Sequence, residues 1–163
     1  MMISAPREAR AMRKMVLLVD DEAAILEGLT LALRREPYNI ICARSGQEAL
    51  PLLATEPIAV IVADEKMPGM SGSALLKHVK EKHPHIIRIM LTGHADVESA
   101  MSAIHEGWVY QYLHKPIKAA DLASTIYNGL LLQSFMLGDE GPHLVMTPEE
   151  QSKLLETVGQ GPV

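Results

Sequence analysis

Apolar residues change their spacing repeatedly along the chain, and each change follows the same order. A short continuous apolar run is followed by a longer stretch in which apolar residues recur every three to four positions. Such runs are typical of buried strands, and the longer spacing is typical of helices with one buried face. The pattern predicts strands at 15–19, 39–43, 58–63, 86–91 and 108–113, and helices at 22–35, from 45 onward, and at 73–82, 95–106 and 118–134.

The predicted strands are apolar almost throughout, which indicates a sheet that is buried on both faces. Each connection between strands is long enough to contain a helix, so we expect parallel strands joined by crossover helices. The fold class is therefore α/β, a doubly wound five-stranded parallel sheet with five helices. In such sheets, ligands bind beyond the carboxyl ends of the strands.

Two local signals refine the helices. In the first predicted helix, Ile25, Leu29, Ala32 and Leu33 fall on one face, which we expect to be buried. The second predicted helix opens at a capping-box sequence, with a serine at 45 and a glutamate three residues later.

The two ends of the chain differ from the alternating region between them. We expect a flexible N-terminal arm at 1–13, a folded domain at 14–134, and an acidic linker with a short tail helix at 135–163. Residues 136–163 contain five acids and one lysine, a net charge of −4. Thr147, followed by Pro148 and by Glu150, is a favourable helix start, with a frayed tail as the alternative.

Composition excludes several classes of protein. With 163 residues and a net charge of −5, the chain gives no general reason to expect binding to nucleic acids or anionic membranes. A single cysteine, Cys42, excludes an internal disulfide framework and a cysteine-rich zinc site. The apolar runs are far shorter than the roughly 20 residues that span a bilayer. We therefore expect a cytoplasmic protein without membrane insertion.

Polar residues collect where the predicted strands end. Asp20 and Asp21 follow the first strand, Asp64 the third, Thr92 the fourth and Lys115 the fifth. Three carboxylates at one edge would repel each other unless a cation lay between them, and Mg²⁺ prefers such oxygen ligands. A carboxylate beside that cation can attack phosphorus, while a lysine and a threonine bind the phosphoryl oxygens. The pattern predicts acyl-phosphate chemistry at one aspartate.

The same residues resemble the receiver domain of two-component response regulators over about 14–134. The motifs that carry the resemblance are Asp20, Asp21 and Glu22; Asp64; Met67 to Gly72; Thr92 and Gly93; and Lys115 and Pro116. The resemblance implies that Asp64 is the phosphoacceptor and that Asp20, Asp21, Asp64 and the backbone carbonyl of Lys66 hold Mg²⁺, or Mn²⁺ in its place. It implies that Thr92 and Lys115 bind the phosphoryl group, and that Lys115–Pro116 is a cis peptide.

The resemblance also implies a signalling mechanism. Thr92 and Tyr112 would form the switch, and the output face would comprise the fourth helix, the fifth strand and the fifth helix, with Trp108, Tyr110 and Tyr112. The partners would be a sensor histidine kinase or phosphotransfer protein and a downstream protein target, and this face could also form a homodimer. The chain would catalyse only its own phosphorylation and dephosphorylation, and would not bind nucleic acid directly.

Three residues near Asp64 and Thr92 lie at positions where this sequence differs from the common receiver pattern or where receivers vary. Glu65 follows the phosphoacceptor, where many receivers carry an apolar residue. Lys66 and His94 lie where receivers vary and where the lifetime of the phosphorylated state is tuned. Our hypothesis is that Lys66 shields or pairs with the phosphoryl group and slows the attack of water on it.

Other functions remain as alternatives. A tail of this length is too short for a DNA-binding or enzymatic output domain, which favours a stand-alone receiver. The alternative is the receiver portion of a longer regulator with a cyclic-di-GMP phosphodiesterase or transcriptional output module. A haloacid-dehalogenase-like phosphohydrolase would need an Asp-x-Asp motif on the first strand, whereas Asp20 and Asp21 are adjacent. A flavodoxin-like FMN binder would need a phosphate loop that the first strand lacks.

Overall fold

The computed structural model describes residues 13–93 and 97–138, in which strands and helices alternate strictly. In chain order they are β1 (Met15–Val19), α1 (Ala23–Ala32), β2 (Asn39–Ala43), α2 (Gly46–Thr55), β3 (Ile58–Asp64), α3 (Gly72–Lys82), β4 (Ile87–Thr92), α4 (Val97–His105), β5 (Gln111–His114) and α5 (Ala119–Leu137). No helix of the described ranges is long and apolar enough to cross a membrane.

The strands form one parallel sheet in the order β2–β1–β3–β4–β5, which confirms the predicted fold class. The chain winds outward in both directions from β1, so the carboxyl ends of β1 and β3 border the crevice where the strand order reverses. Val19 of β1 pairs with Ala63 of β3. The residues that follow this pair, Asp20 and Asp64, are therefore neighbours at the edge of the sheet.

The core consists of two apolar layers, one on each face of the sheet. Alternate residues of each strand point into opposite layers, as Leu17 and Leu18 do in β1. Helices α2, α3 and α4 cover one layer, and helices α1 and α5 cover the other. All seven residues of β3 are buried, which agrees with the continuous apolar run that predicted this strand.

The fifth strand is shorter than predicted and begins later. The sequence predicted 108–113, whereas β5 spans Gln111–His114. Gly107 adopts a positive φ of 81° after α4, and Trp108 N–H donates to the carbonyl of Ala103. The carbonyl of Trp108 accepts from Arg88 Nε at 2.9 Å. The start of the apolar run therefore finishes the turn after α4. Tyr110 N–H makes the first contact with β4 by donating to the carbonyl of Arg88, and β5 begins at Gln111.

The first helix also differs from its prediction. It ends at Ala32, three residues early, because tight turns follow: Arg34 N–H donates to the carbonyl of Leu31 and Glu36 N–H to that of Leu33. Leu33, just after the helix, is buried and Leu29 packs on the same apolar layer, as predicted. Ala32 is exposed, and Leu26, which was not placed on the predicted face, is the buried residue within α1.

Other helix ends agree more closely. The capping box is confirmed in part, since Ser45 Oγ accepts from Glu48 N–H at 3.0 Å but Glu48 Oε2 accepts from Arg44 N–H at 2.8 Å rather than from Ser45. Helix α5 continues to Leu137, three residues beyond the prediction, and ends at Gly138 with a φ of 64°. The predicted arm through residue 12, the start of the fourth helix at 95, and the tail helix lie outside the described residues.

Candidate functional site

Three aspartates meet at the carboxyl ends of β1 and β3. Each of Asp20, Asp21 and Asp64 offers a carboxylate oxygen, and these oxygens all lie within 4.8 Å of one another. Asp20 is 1% exposed and Asp64 4% exposed, while Asp21 is half-buried. Asp20 is held by its own turn, because its Oδ1 accepts from Glu22 N–H at 2.9 Å. The sequence prediction that these acids converge is confirmed.

Lys115 reaches this cluster from the end of β5. Its N–H donates to the carbonyl of Thr92 at 2.8 Å, which continues the pairing of β5 with β4. Its Nζ lies 3.0 Å from Asp64 Oδ2 and 3.5 Å from Asp20 Oδ2. The Lys115–Pro116 peptide bond is cis, as the resemblance to receiver domains implied. One ammonium therefore bridges the two most buried carboxylates.

The charges in this pocket do not balance. Burial raises the pKa of Asp64 above its ordinary value, although the hydrogen bond and charge of Lys115 act in the opposite direction. Burial also lowers the pKa of Lys115, but the contacts with Asp64 and Asp20 outweigh it, so that pKa is raised. Three carboxylates facing one ammonium leave a net negative charge. An all-oxygen donor set with that charge fits a hard divalent cation such as Mg²⁺.

Thr92 ends β4, the strand next to β3. Its position is fixed because Leu91, the residue before it, pairs with Asp64. The side chain is fully buried, and its Oγ1 has no hydrogen-bond partner among the residues that the structure describes. Buried hydroxyls are nearly always paired, so this one is available to an oxygen that enters the pocket.

The backbone of Asp64 is held from behind by the first turn of α3. A Cβ on Gly72 would lie 2.3 Å from the Asp64 carbonyl oxygen, so no larger residue fits without movement of the main chain. Glu65, the next residue, accepts hydrogen bonds from both the N–H and the Oγ of Ser73. The sequence marked Glu65 as unusual but gave no partner for it. Ser73 lies eight positions after Glu65 in the sequence. The sequence signal for this pair was limited to the presence of a serine in the first turn of a predicted helix.

The residues proposed to tune the lifetime are only partly described. Lys66 lies in the loop after β3 with an exposed side chain, and its backbone N–H hydrogen-bonds the Asp64 carboxyl. His94 lies outside the described residues.

The three aromatic residues of the predicted output face do not share one layer. Trp108 and Tyr112 are half-buried and pack on the α2–α4 layer, whereas Tyr110 packs on the opposite layer with α1 and α5. The ring of Tyr112 contacts that of His114 edge-on, with centroids 5.8 Å apart. Trp108 Nε1 donates to Glu106 Oε2 at 2.7 Å. Of these three aromatic residues, Tyr112 is therefore the one that lies within β5, the edge strand, and packs toward α4.

Comparison with known proteins agrees with this geometry. A family model for the response regulator receiver domain matches residues 16–127. The hydrogenase transcriptional regulatory protein HoxA of Cupriavidus necator is 37% identical over 111 residues, which are 68% of this chain and 23% of that protein. The chain spans about a quarter of the length of the curated relatives it matches.

Solved structures show the same likeness across nearly their whole length. A response regulator receiver domain protein from Clostridium thermocellum aligns with a TM-score of 0.71 and 34% identity, covering 76% of this chain and 98% of that one. The signal receiver domain of an HD domain-containing protein from Pseudomonas fluorescens aligns with a TM-score of 0.73 and 33% identity, covering 78% of this chain and 93% of that one.

Proposed function

Because this chain belongs to the family of response regulator receiver domains, we propose that Asp64 is its phosphoacceptor. The phosphoryl donor is a sensor histidine kinase or a phosphotransfer protein. The observation that carries the proposal is the bridge made by Lys115, whose Nζ contacts Asp64 and Asp20 at one edge of the sheet. Phosphorylation is the signal, and the face formed by α4, β5 and α5 transmits it.

Receiver domains bind Mg²⁺ at an acidic pocket, and the three aspartates form such a pocket here. We assign its binding to Asp20, Asp21, Asp64 and the backbone carbonyl of Lys66, with Mn²⁺ as a substitute. When bound, the cation neutralises the negative charge of the carboxylates and of the incoming phosphoryl oxygens. The donor set supports this assignment because every ligand is an oxygen.

Each remaining group has a separate role in the transfer. A carboxylate oxygen of Asp64 forms the new P–O bond as the P–N bond of the donor phosphohistidine breaks, and the imidazole leaves with the electron pair. Lys115, now 3.0 Å from Asp64, binds a phosphoryl oxygen through its ammonium. The hydroxyl of Thr92, which has no partner among the described residues, donates a hydrogen bond to another phosphoryl oxygen.

The same hydroxyl couples the site to the output face. When Thr92 turns its hydroxyl toward the phosphoryl group, it changes the space beside β5, and Tyr112 turns inward to fill it. Tyr112 is only half-buried and lies on the edge strand, which supports such a movement. The altered α4–β5–α5 face then binds a downstream protein or a second copy of the chain.

The domain boundaries and the whole protein also remain proposals. We assign 14–134 to the receiver, 1–13 to an arm and 135–163 to a linker with a tail helix. The alternative is that these residues belong to a longer regulator with a phosphodiesterase or transcriptional output module. The matched region is 23% of the length of HoxA, and this difference in length is a reason to test the alternative. The position of the stop codon relative to Val163 distinguishes the two proposals.

Intact-mass measurement after incubation with phosphoramidate tests the phosphoacceptor. We expect a gain of one phosphoryl group that requires Mg²⁺ and is absent in Asp64→Asn. The matched control is Asp121→Asn, which removes an exposed aspartate from the first turn of α5 and should be phosphorylated normally. A persistent mass gain in Asp64→Asn, or no gain in the unaltered protein, would contradict the proposal.

A further inference from the structure

Glu65 is tied to two elements at once, although it has no role in the transfer described above. Its N–H donates to the carbonyl of Leu91 in β4 at 2.9 Å. Its carbonyl accepts from Gly72 N–H at 3.0 Å, and its Oε2 accepts from Ser73 N–H at 3.0 Å and from Ser73 Oγ. Backbone and side chain together thus connect the end of β3 to β4 and to the first turn of α3.

The Glu65 side chain adds a contact to the first turn of α3, although this helix already has an N-cap residue. Helix α3 already has Ser71 as its N-cap, with Oγ accepting from Ala74 N–H at 3.1 Å. The Glu65 carboxylate satisfies a different free N–H of the first turn, that of Ser73. A carboxylate at this end of a helix also interacts favourably with the helix dipole. The first turn of α3 is therefore held from both the cap and the strand.

The loop between these two attachment points supplies groups to the phosphoacceptor. Lys66 lies inside the loop, and its N–H hydrogen-bonds the Asp64 carboxyl. Its carbonyl is the backbone group that we assign to the cation. Gly72, at the far end of the loop, lies against the Asp64 carbonyl. A change in the separation of Glu65 and Ser73 would therefore move both the reactive carboxylate and the backbone around it.

We propose that Glu65 is a positioning residue for phosphorylation: by binding Ser73, its carboxylate fixes the loop that orients Asp64 and presents the Lys66 carbonyl. This inference rests on the proposed function of Asp64. It goes beyond that function because it assigns a role to a polar side chain that never touches the phosphoryl group. The Ser73 hydroxyl acts through the Glu65 carboxylate, so its loss should have no further effect once that carboxylate has been removed.

Four variants separate positioning from simple stabilisation. Glu65→Ala removes the contact, and Glu65→Gln removes the charge but keeps an oxygen that accepts from Ser73. Ser73→Ala removes one donor, and the double variant Glu65→Ala/Ser73→Ala tests whether the two residues act together. Glu81→Ala is the matched control, because it removes an exposed carboxylate from the last turns of the same helix.

Two quantities are measured on each folded variant: the dissociation constant for Mg²⁺ by calorimetry, and the rate of phosphorylation by phosphoramidate at saturating Mg²⁺. Loss of a hydrogen-bond partner behind a metal ligand typically costs about tenfold or more in affinity or activity. We expect a loss of about that size in Glu65→Ala, a much smaller one in Glu65→Gln, and none in Glu81→Ala. The double variant should be no worse than Glu65→Ala.

Hydrogen exchange in the absence of metal provides a readout that does not depend on activity. The amides of residues 66–73 should exchange faster in Glu65→Ala than in Glu65→Gln, while those of β3 stay protected. Wild-type affinity and rate in Glu65→Ala, or a loss of global stability with unchanged affinity and rate, would overturn the proposal. If the unaltered protein binds Mg²⁺ but is not phosphorylated, the proposed function fails while the affinity and exchange data still decide the role of Glu65. Absence of Mg²⁺ binding in the unaltered protein would overturn both.

Discussion

Replacing Gly72 by alanine tests the close contact between α3 and the end of β3. The added Cβ would lie 2.3 Å from the Asp64 carbonyl oxygen and 2.9 Å from both the Asp64 carbonyl carbon and the Glu65 Cα. These three atoms are all backbone, so no side-chain rotation can relieve the overlap. Either α3 must move away from the sheet or the end of β3 must move.

The magnitude follows from the size of the overlap. A carbon and a carbonyl oxygen ordinarily make contact at about 3.3 Å or more, so the new Cβ is roughly 1 Å too close. Overpacking of this kind costs about 1–3 kcal/mol. A gain of at most about 1 kcal/mol from replacing glycine in a helix offsets part of it. We expect Gly72→Ala to lower the free energy of unfolding by about 1–2 kcal/mol.

The matched control is Gly28→Ala in α1. Gly28 also lies in a helix, but nothing is within 4 Å of a Cβ built there. Only the helix preference then acts, and the free energy of unfolding should rise by about 0.5–1 kcal/mol. Both variants add one methyl group to a helix, but the expected changes in the free energy of unfolding have opposite signs. An effect of the added methyl group that is common to both variants therefore cancels when the two changes are compared.

Urea unfolding, followed by the fluorescence of Trp108, measures both variants. Trp108 is the single tryptophan of the chain and is half-buried, so its emission should change when the domain unfolds. The dependence on urea concentration must stay constant between variants for the comparison to hold. Stability of Gly72→Ala equal to or above that of the unaltered protein would refute the argument from the Asp64 carbonyl, as would equal losses in both variants.

Two further predictions concern buried tyrosine and the phosphorylated state. Tyr38→Phe should raise the free energy of unfolding by about 1 kcal/mol, because the buried hydroxyl has no partner among the described residues. Burial raises the pKa of Tyr38 above its ordinary value of 10.0, so Tyr38 ionises at a lower pH in the unfolded chain than in the folded protein. The free energy of unfolding therefore falls as the pH rises past that value. Unfolding curves measured above that pH should show a smaller fall in Tyr38→Phe than in the unaltered protein. Lys66→Ala should shorten the half-life of phosphorylated Asp64 in a mass time course, and an unchanged or longer half-life would refute the shielding hypothesis.

The sequence predicted the elements best where one interpretation of the spacing was available. The run that became β3 is apolar at every position except its last, and no helical period fits it. The buried face of helix α1 was harder to predict because apolar residues occur on more than one face. The prediction placed Ile25 on the buried face and not its neighbour Leu26, which is the buried residue. The start of β5 was misplaced because residues 108–110 have the composition of a strand, whereas the turn at Gly107 directs Trp108 N–H to the carbonyl of Ala103 and the strand begins only at Gln111.

The acidic pocket was predictable for a reason that does not depend on side-chain detail. Parallel strands place their carboxyl ends at one edge, so residues that follow neighbouring strands must meet there. Asp20 and Asp64 meet because β1 and β3 are neighbours in the sheet and Val19 pairs with Ala63. The contact of Glu65 with Ser73 was not predictable, because it depends on how closely one helix end approaches the sheet.

The two sides of Asp64 have opposite requirements, and this explains why the tight contacts lie behind it. In the proposed function, its carboxylate must be reached by a cation and a phosphoryl group, so it cannot be fixed by close packing around its oxygens. Yet transfer is fast only when the attacking oxygen is already oriented, since a misplacement of about 1 Å can cost roughly 100-fold in rate. Rigidity must therefore come from the main chain. The Gly72 contact and the hydrogen bonds of Glu65 supply it from the helix side, and Lys115 adds one adjustable contact in front.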